Sequence, residues 1–209
     1  MVVEPNVSKN GASGVDLVRG TMVRMERSFR AMAQPAFVTL LLDTAARMAD
    51  RLAAGGTVYW CGNGGSASDS QHLAAELVGR FGRPGRGWPS IALPADSSIV
   101  TAAGNDFGFE TVFARQVEAL VRPEDVVAGI STSGASRNVI AAIEAARCRG
   151  ALTIVLTGPE ASPLGRAAEL SIRAPGETAS EVQTAHIAVG QLLCETAIAL
   201  AEAAGGDHA

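Results

Sequence analysis

The chain has 209 residues, 47% of them hydrophobic and 18% charged, so it is long enough for one domain with a sizeable core. Its net charge of −4 and the lack of a run of basic residues argue against a nucleic-acid-binding protein. No stretch has the ~18 unbroken apolar residues of a membrane helix, and the N-terminus lacks a signal-peptide pattern, so we expect a cytoplasmic protein that binds no membrane. The three cysteines lack CxxC spacing, and we expect them to stay reduced.

The first predicted elements are helices. Apolar residues recur every three or four positions over the stretch Val15–Ala54. Pro35 divides this stretch into two helices or kinks one, because proline cannot donate the backbone hydrogen bond that a helix interior needs. The pair Gly55-Gly56 ends the helical pattern.

A strand, a glycine-rich turn and a helix come next. The apolar run Thr57–Trp60 leads into Cys61-Gly62-Asn63-Gly64-Gly65-Ser66, whose backbone N–H groups and hydroxyl lie where the helix begins. Helix N-termini attract anions because their first N–H groups are unpaired and the macrodipole is positive there. One turn further, His72 and Glu76 stand four apart on one face of the helix. Alone, this pair would suit a surface ion pair better than metal ligands or an acid–base pair, but beside a phosphate site it indicates an enzyme acting on a sugar phosphate.

The middle of the chain alternates short elements. Ser90–Leu93 is a predicted strand, and Asp96 is a good N-cap for a helix around Ile99–Ala103. Asn105-Asp106 falls in a predicted glycine-flanked loop, where turn formation and recognition of sugar hydroxyls are about equally compatible with the sequence. A further helix is predicted over Phe109–Val121.

A second hydroxyl-rich motif follows the buried-strand pattern Asp125–Ile130. It reads Ser131-Thr132-Ser133-Gly134-Ala135-Ser136 and precedes a predicted helix over Asn138–Arg149. One hydroxyl is enough to cap a helix, whereas this loop has four, so we favour phosphate binding over an ordinary serine-rich cap. The chain has no GxxxxGK[ST] nucleotide loop, and Ala67 stands where a dinucleotide GxGxxG motif would need its third glycine.

The C-terminal part adds two predicted strands, Ala151–Thr157 and Glu169–Arg173, and a long helix over Thr178–Ala204. Three polar residues lie along that helix, and alone they suit a partly solvated or interface face better than convergence on a site: Gln183, His186 and Gln191.

This alternation predicts the α/β class, with a parallel sheet covered by helices on both faces and long N- and C-terminal helices. Ligands bind such sheets at the carboxyl ends of the strands, where both hydroxyl-bearing turns fall. We expect a flexible tail over residues 1–14, a single domain over 15–204 and a second tail over 205–209.

Together these motifs resemble the phosphoheptose isomerase family, also called sedoheptulose 7-phosphate isomerases, of the sugar isomerase (SIS) fold. The resemblance spans about residues 15–203. It is carried by six segments: Cys61–Ser66, His72–Leu77, Gly79–Phe81, Gly104–Phe109, Ile130–Gly134 and, more weakly, Glu181–Ile187.

The resemblance implies a role for each matching residue. Substrate contacts would be Asn63, Gly64, Gly65, Ser66, Asn105, Asp106 and Gln183, and the phosphate would be held by Ser131, Thr132, Ser133 and Ser136. A divalent metal, zinc in the family, would have His72, Glu76 and Gln183 among its ligands, with Glu76 also the general base.

The chain departs from the family at two places. The family's fourth metal ligand, a histidine that is also its acid–base partner, is Gln191 here, and glutamine cannot titrate near neutral pH. Either His186 takes over that role, or Glu76 acts alone, or the activity is weak or altered. The family's Arg-Ile-Gln is also replaced by Glu181-Val182-Gln183, with the charge reversed.

The resemblance implies an aldose–ketose isomerase that converts sedoheptulose 7-phosphate to D-glycero-D-manno-heptose 7-phosphate through an enediol. It also implies a homotetramer with sites built between subunits. The alternatives are a non-catalytic SIS-fold binding protein of the replication-initiator-associating type and a sugar-phosphate sensor. The presence of Glu76 favours the enzyme, because the binding-protein branch lacks that carboxylate.

Overall fold

Five parallel strands form one sheet in the computed structural model, which describes residues 14–79 and 85–205. The strand order is β2-β1-β3-β4-β5, and every neighbouring pair is parallel. The order therefore reverses between β1 and β3, which makes their carboxyl ends the expected ligand crevice. The strands are β1 (Val58–Gly62), β2 (Ser90–Ala92), β3 (Val126–Ser131), β4 (Leu152–Thr157) and β5 (Leu170–Arg173).

Eight α-helices occur in the described residues, and they connect and cover these strands. They are α1 (Gly14–Met32), α2 (Pro35–Ala53), α3 (Gly65–Val78), α4 (Ser97–Phe107), α5 (Ala114–Leu120), α6 (Arg137–Cys148), α7 (Pro163–Ala167) and α8 (Ala179–Gly205). The α/β class with long terminal helices is thus confirmed. Pro35 separates two helices and occupies the first position of the second, where its missing N–H costs nothing.

The sheet has a hydrophobic core on each face. Successive residues of a strand point to opposite faces, so Trp60 packs with α2, α3 and α8, while Cys61 packs with the layer of α4 to α7. β3 and β4 are buried along their whole length, as expected of central parallel strands. The site at the strand ends therefore rests on a rigid, two-sided core.

The predicted helix Phe109–Val121 is wrong as a single element. A 3₁₀ turn over Phe109–Thr111 precedes α5, and the Thr111 hydroxyl donates to the Gly108 carbonyl within that turn. Such local side-chain bonds compete with regular helix formation. The sequence reading also missed α7, although Ser162 caps it and Pro163 opens it in the usual way.

Two further expectations stay open. By length and composition alone, residues 179–204 could cross a membrane, although polar residues interrupt the apolar run of this helix. Several α8 residues, such as Val189 and Leu193, belong to the core beneath the sheet. The domain limits stay a prediction: α1 begins at Gly14, α8 includes Gly205, and residues 1–13 and 206–209 lie outside the described residues.

Candidate active site

The two glycine- and serine-rich turns lie at the carboxyl ends of the adjacent strands β1 and β3. The first turn requires its glycines: Gly64 has φ +54°, and a Cβ on Gly62 would come within 2.7 Å of the Ser66 Cβ. The turn leads directly into α3, so Gly65 and Ser66 form the first turn of that helix. Sequence reasoning and structure agree on this placement.

A reciprocal pair of amide hydrogen bonds joins the first turn to α6. The Asn63 side chain donates to Asn138 Oδ1, and the Asn138 side chain donates to Asn63 Oδ1, both at 2.8 Å. Asn138 is buried at the start of α6 and was not singled out in the sequence. Asn63, an expected substrate contact, thus fixes the spacing of the two turns through Asn138.

The hydroxyls of the second turn gather around Ser131. Ser131 Oγ lies 3.0 Å from Ser136 Oγ and 3.4 Å from Ser133 Oγ. Ser136 is the N-cap residue of α6, yet its side chain makes no capping hydrogen bond. The cap alternative therefore does not explain this hydroxyl, which stays with its neighbours at a helix N-terminus where an anion is favoured.

The turn also depends on Gly134. This glycine has φ +62°, and a Cβ there would meet the Ser162 side chain at 2.2 Å. The backbone N–H groups of Gly134 and Ala135 donate to Ser131 Oγ and Ser133 Oγ, at 3.1 and 3.3 Å. These bonds order the hydroxyl oxygens before any ligand arrives.

The structure brings His72, Glu76 and Gln191 together. His72 Nε2 is 2.8 Å from Glu76 Oε1, and the Gln191 Nε2 group lies 3.3 Å from each of these atoms. The side chain of His72 is 50% exposed and that of Glu76 only 15%, so the carboxylate is sheltered beneath the imidazole. The His72–Glu76 pair is an ion pair when the imidazole is protonated.

Gln183 lies apart from these three residues, over the start of α3. A Cβ on Gly65 would overlap the Gln183 amide at 2.2 Å, so only glycine allows this approach. Beneath it is Asp69, a buried carboxyl that sequence reasoning missed; its Oδ2 has no hydrogen-bond partner among the described residues. Burial raises the pKa of Asp69, and a hydrogen bond from Gln183 and the charge of His72 oppose that shift. The sequence feature that could have identified Asp69 is its position three residues before His72, which puts both side chains on one face of α3.

His186 occupies a different environment. It is fully buried, and its Nε2 lies 3.0 Å from the Thr157 carbonyl oxygen. Burial lowers the pKa of this imidazole, an effect that the Thr157 carbonyl partly opposes. His186 and Gln191 are five positions apart on α8, so their side chains point in directions about 140° apart around the helix axis. The idea that His186 takes over from the missing histidine is therefore not supported.

Asn105 and Asp106 lie in the last turn of α4, not in the predicted loop. Asp96 caps α4 by accepting from the backbone N–H groups of Ser98 and Ile99, and Gly108, with φ +88°, ends it. The Asn105 side chain donates to Asp106 Oδ1 at 2.8 Å, and both residues are exposed. Within the described ranges, no hydrogen bond links them to the hydroxyl turn, so their substrate contact stays a prediction.

The donors fit a zinc centre poorly. In the part of the chain that the structure describes, no three His, Cys, Asp or Glu side chains are placed to hold a metal. His72 and Glu76 are paired with each other, and the two remaining expected ligands, Gln183 and Gln191, are neutral amides. Zinc sites use imidazole, thiolate and carboxylate ligands. Only two of the four expected ligands are of these kinds, and the two amides are weak zinc ligands.

Comparisons with known proteins agree on one family. A family model described as "SIS domain" matches residues 38–158. A phosphoheptose isomerase of Akkermansia muciniphila is 45% identical over 181 residues, which cover 86% of this chain and 94% of that protein. One of Aquifex aeolicus is 46% identical over 178 residues, covering 82% and 93%. The structure of a phosphoheptose isomerase from Neisseria gonorrhoeae superposes with a TM-score of 0.82 at 34% identity, covering 88% of this chain and 98% of that one.

Proposed function

Because the chain belongs to the SIS-domain family, and within it to the phosphoheptose isomerases, we propose that it isomerises sedoheptulose 7-phosphate to D-glycero-D-manno-heptose 7-phosphate. The observation that carries the phosphate part of this proposal is the hydroxyl cluster of Ser131, Ser133 and Ser136, which no helix cap consumes. It can accept and donate hydrogen bonds around a phosphate at the N-terminus of α6.

We propose Glu76 as the base. Within the described residues its hydrogen bonds from His72 and Gln191 both involve Oε1, which leaves Oε2 for the substrate. Oε2 would take a proton from C1 of the ketose, giving an enediol and a carboxylic acid, and would return that proton to C2. Fixed orientation and a correctly placed base each lower the barrier, and general base catalysis contributes roughly 10²–10⁴-fold.

The hydroxyl protons must also move between the two substrate oxygens. The half-exposed imidazole of His72 is next to the base and is the nearest titratable group for that exchange in our proposal. The donor set does not fit zinc, and any divalent ion would be weakly held by His72, Glu76 and the neutral amides of Gln183 and Gln191.

The homotetramer and the cytoplasmic location stay predictions. The helix α1 supports an oligomer, since Leu17, Val18 and Met22 are 66, 62 and 63% exposed in the single chain. Apolar side chains in a row along one helix commonly mark a contact between proteins. Light scattering on the purified protein distinguishes a tetramer from a monomer.

The rival function is a binding protein or a sensor that uses the same phosphate site without turnover. Incubation of the protein with sedoheptulose 7-phosphate, followed by NMR, separates the two: the proposal requires new signals of the heptose 7-phosphate. The assay is run with zinc added and again with a chelator. Binding of the sugar phosphate without any conversion in either condition would establish the rival.

A further inference from the structure

The reversed charge at position 181 has a partner on the first helix. Glu181 is 2% exposed, and its Oε1 accepts a hydrogen bond of 2.7 Å from Arg24 Nε. The Arg24 guanidinium also donates to Thr21 Oγ1 of its own helix at 3.1 Å, which orients it towards α8. The pair joins residues 157 positions apart. Arg24 is the main cause that lowers the pKa of the Glu181 carboxyl, so the ion pair persists at neutral pH.

Glu181 also organises the turn that opens α8. Its Oε2 accepts from the Glu177 backbone N–H at 2.9 Å, and its own N–H donates to Thr178 Oγ1 at 3.3 Å. This is a variant of the capping box, in which a threonine and a glutamate three residues later satisfy the free N–H groups at a helix start. The carboxylate is thus held by one guanidinium and one backbone donor.

The same turn lines a pocket of about 590 Å³. Gly176, Glu177 and Thr178 contribute to its lining, and so do Thr132 and Ser133 of the hydroxyl turn. Two residues beyond Glu181, Gln183 lies against Gly65. A shift of the α8 start would therefore change the pocket and the contact with α3 together.

We propose that Arg24 and Glu181 are positioning residues, which hold the turn over residues 176–182 at its distance from the hydroxyl turn and so shape the pocket for the phosphorylated sugar. This inference rests on the proposed function for the identity of the ligand. It requires that the pair acts on ligand binding and does not only add stability. A misplacement of about 1 Å by a residue remote from the chemistry can cost up to roughly 100-fold in rate.

The test uses Arg24→Ala, Glu181→Gln and the charge swap Arg24→Glu with Glu181→Arg. Arg30→Ala is the matched control, because it breaks the exposed Arg30–Glu26 pair on the same helix without touching α8. We expect the two single variants to raise KM for sedoheptulose 7-phosphate about tenfold while kcat changes less than about threefold, the pattern of lost binding. The swap restores the ion pair but not the acceptor for the Glu177 backbone N–H, so it should recover only part of that loss, and the control should behave as wild type.

Amide hydrogen exchange over residues 176–182 and calorimetry with inorganic phosphate give readouts that need no turnover. Faster exchange and weaker phosphate binding in Arg24→Ala and in Glu181→Gln support the inference even if the wild type fails to isomerise the sugar, which would count against the proposed function alone. Unchanged phosphate affinity in either folded variant, whether or not its exchange is faster, or equal effects in Arg30→Ala, would overturn it.

Discussion

At the scale of single residues, the candidate site differs from expectation mainly in the hydrogen-bond partners that its polar side chains have within the protein. Ser136 has the position of a cap but not the hydrogen bond of one, whereas Asn63 is engaged with Asn138. Residue types and spacing predicted the hydroxyl turn and the His72–Glu76 pair. They could not predict Asn138, because the partner of a buried amide depends on which loop the fold brings beside it.

The hydroxyl turn can be tested one side chain at a time. Ser133→Ala and Ser136→Ala should each weaken binding of the sugar phosphate by about 1.5–3 kcal/mol, the range for a hydrogen bond to a charged group. Neither change should greatly lower the free energy of unfolding, because neither hydroxyl caps a helix. Calorimetry and thermal unfolding provide the two measurements.

Asp96→Ala is the matched control for these variants, because Asp96 is a true cap of α4. It should cost about 0.5–2 kcal/mol of stability, as is usual for a lost N-cap, and leave the affinity unchanged. Unaltered affinity in both serine variants would remove the phosphate assignment of this turn.

Gln191 is the position at which the metal-binding prediction can be tested. In Gln191→His a second imidazole would join His72 and Glu76, and three such donors are the usual number in a catalytic zinc site. We expect zinc content after dialysis, measured by elemental analysis, to rise from well below one ion per chain to near one. Gln191→Asn is the control, since it keeps the amide. Stoichiometric zinc in the wild type would show that the donor set has been underestimated.

At the scale of elements, hydrophobic patterning predicted the strands and the long helices, and turn chemistry accounts for most of the errors. Continuous apolar runs mark the central strands because both faces of the sheet are covered. The end of α4 was misplaced because Asn105-Asp106 was assigned to a glycine-flanked loop, whereas the helix continues through Gly104 and ends at Gly108, which has a positive φ. Position 186 was equally ambiguous: only packing shows that this face of α8 lies on β4.

His186 predicts a pH dependence of stability. Its pKa is lowered in the folded state from a reference of 6.5, so the unfolded chain binds its proton more readily. The free energy of unfolding should thus be constant with respect to this group above pH 6.5 and fall as the pH drops below it, by up to about 1.4 kcal/mol per pH unit. Chemical denaturation of wild type and His186→Gln between pH 7.5 and 5.5 measures the difference. Parallel curves for the two proteins would mean that His186 is not held neutral.

At the scale of the whole molecule, the sequence relatives and the strand order of the sheet both support an α/β protein of the SIS-domain family. In our proposal, the polar side chains of α3 and α8 determine its activity. The chain matches phosphoheptose isomerases over more than four-fifths of its length. The strand order reverses between β1 and β3, so the hydroxyl turn at the carboxyl end of β3 and the start of α3 after β1 border one crevice, as in other open parallel sheets. In our proposal Glu76 is the base of this site, and the glutamine at position 191 leaves a donor set that fits zinc poorly.

The most direct test of the account is isomerisation of sedoheptulose 7-phosphate in D₂O, followed by NMR, for the wild type, Glu76→Gln and the exposed-residue control Glu195→Gln. We predict that the wild type and the control form the heptose 7-phosphate with deuterium at C2 whenever the carboxyl proton of Glu76 exchanges with solvent. Glu76→Gln should be slower by about three orders of magnitude while it still binds the sugar phosphate, because an amide cannot take the carbon proton. Turnover of Glu76→Gln within a few-fold of the wild type, or no heptose 7-phosphate from the wild type, would contradict the account.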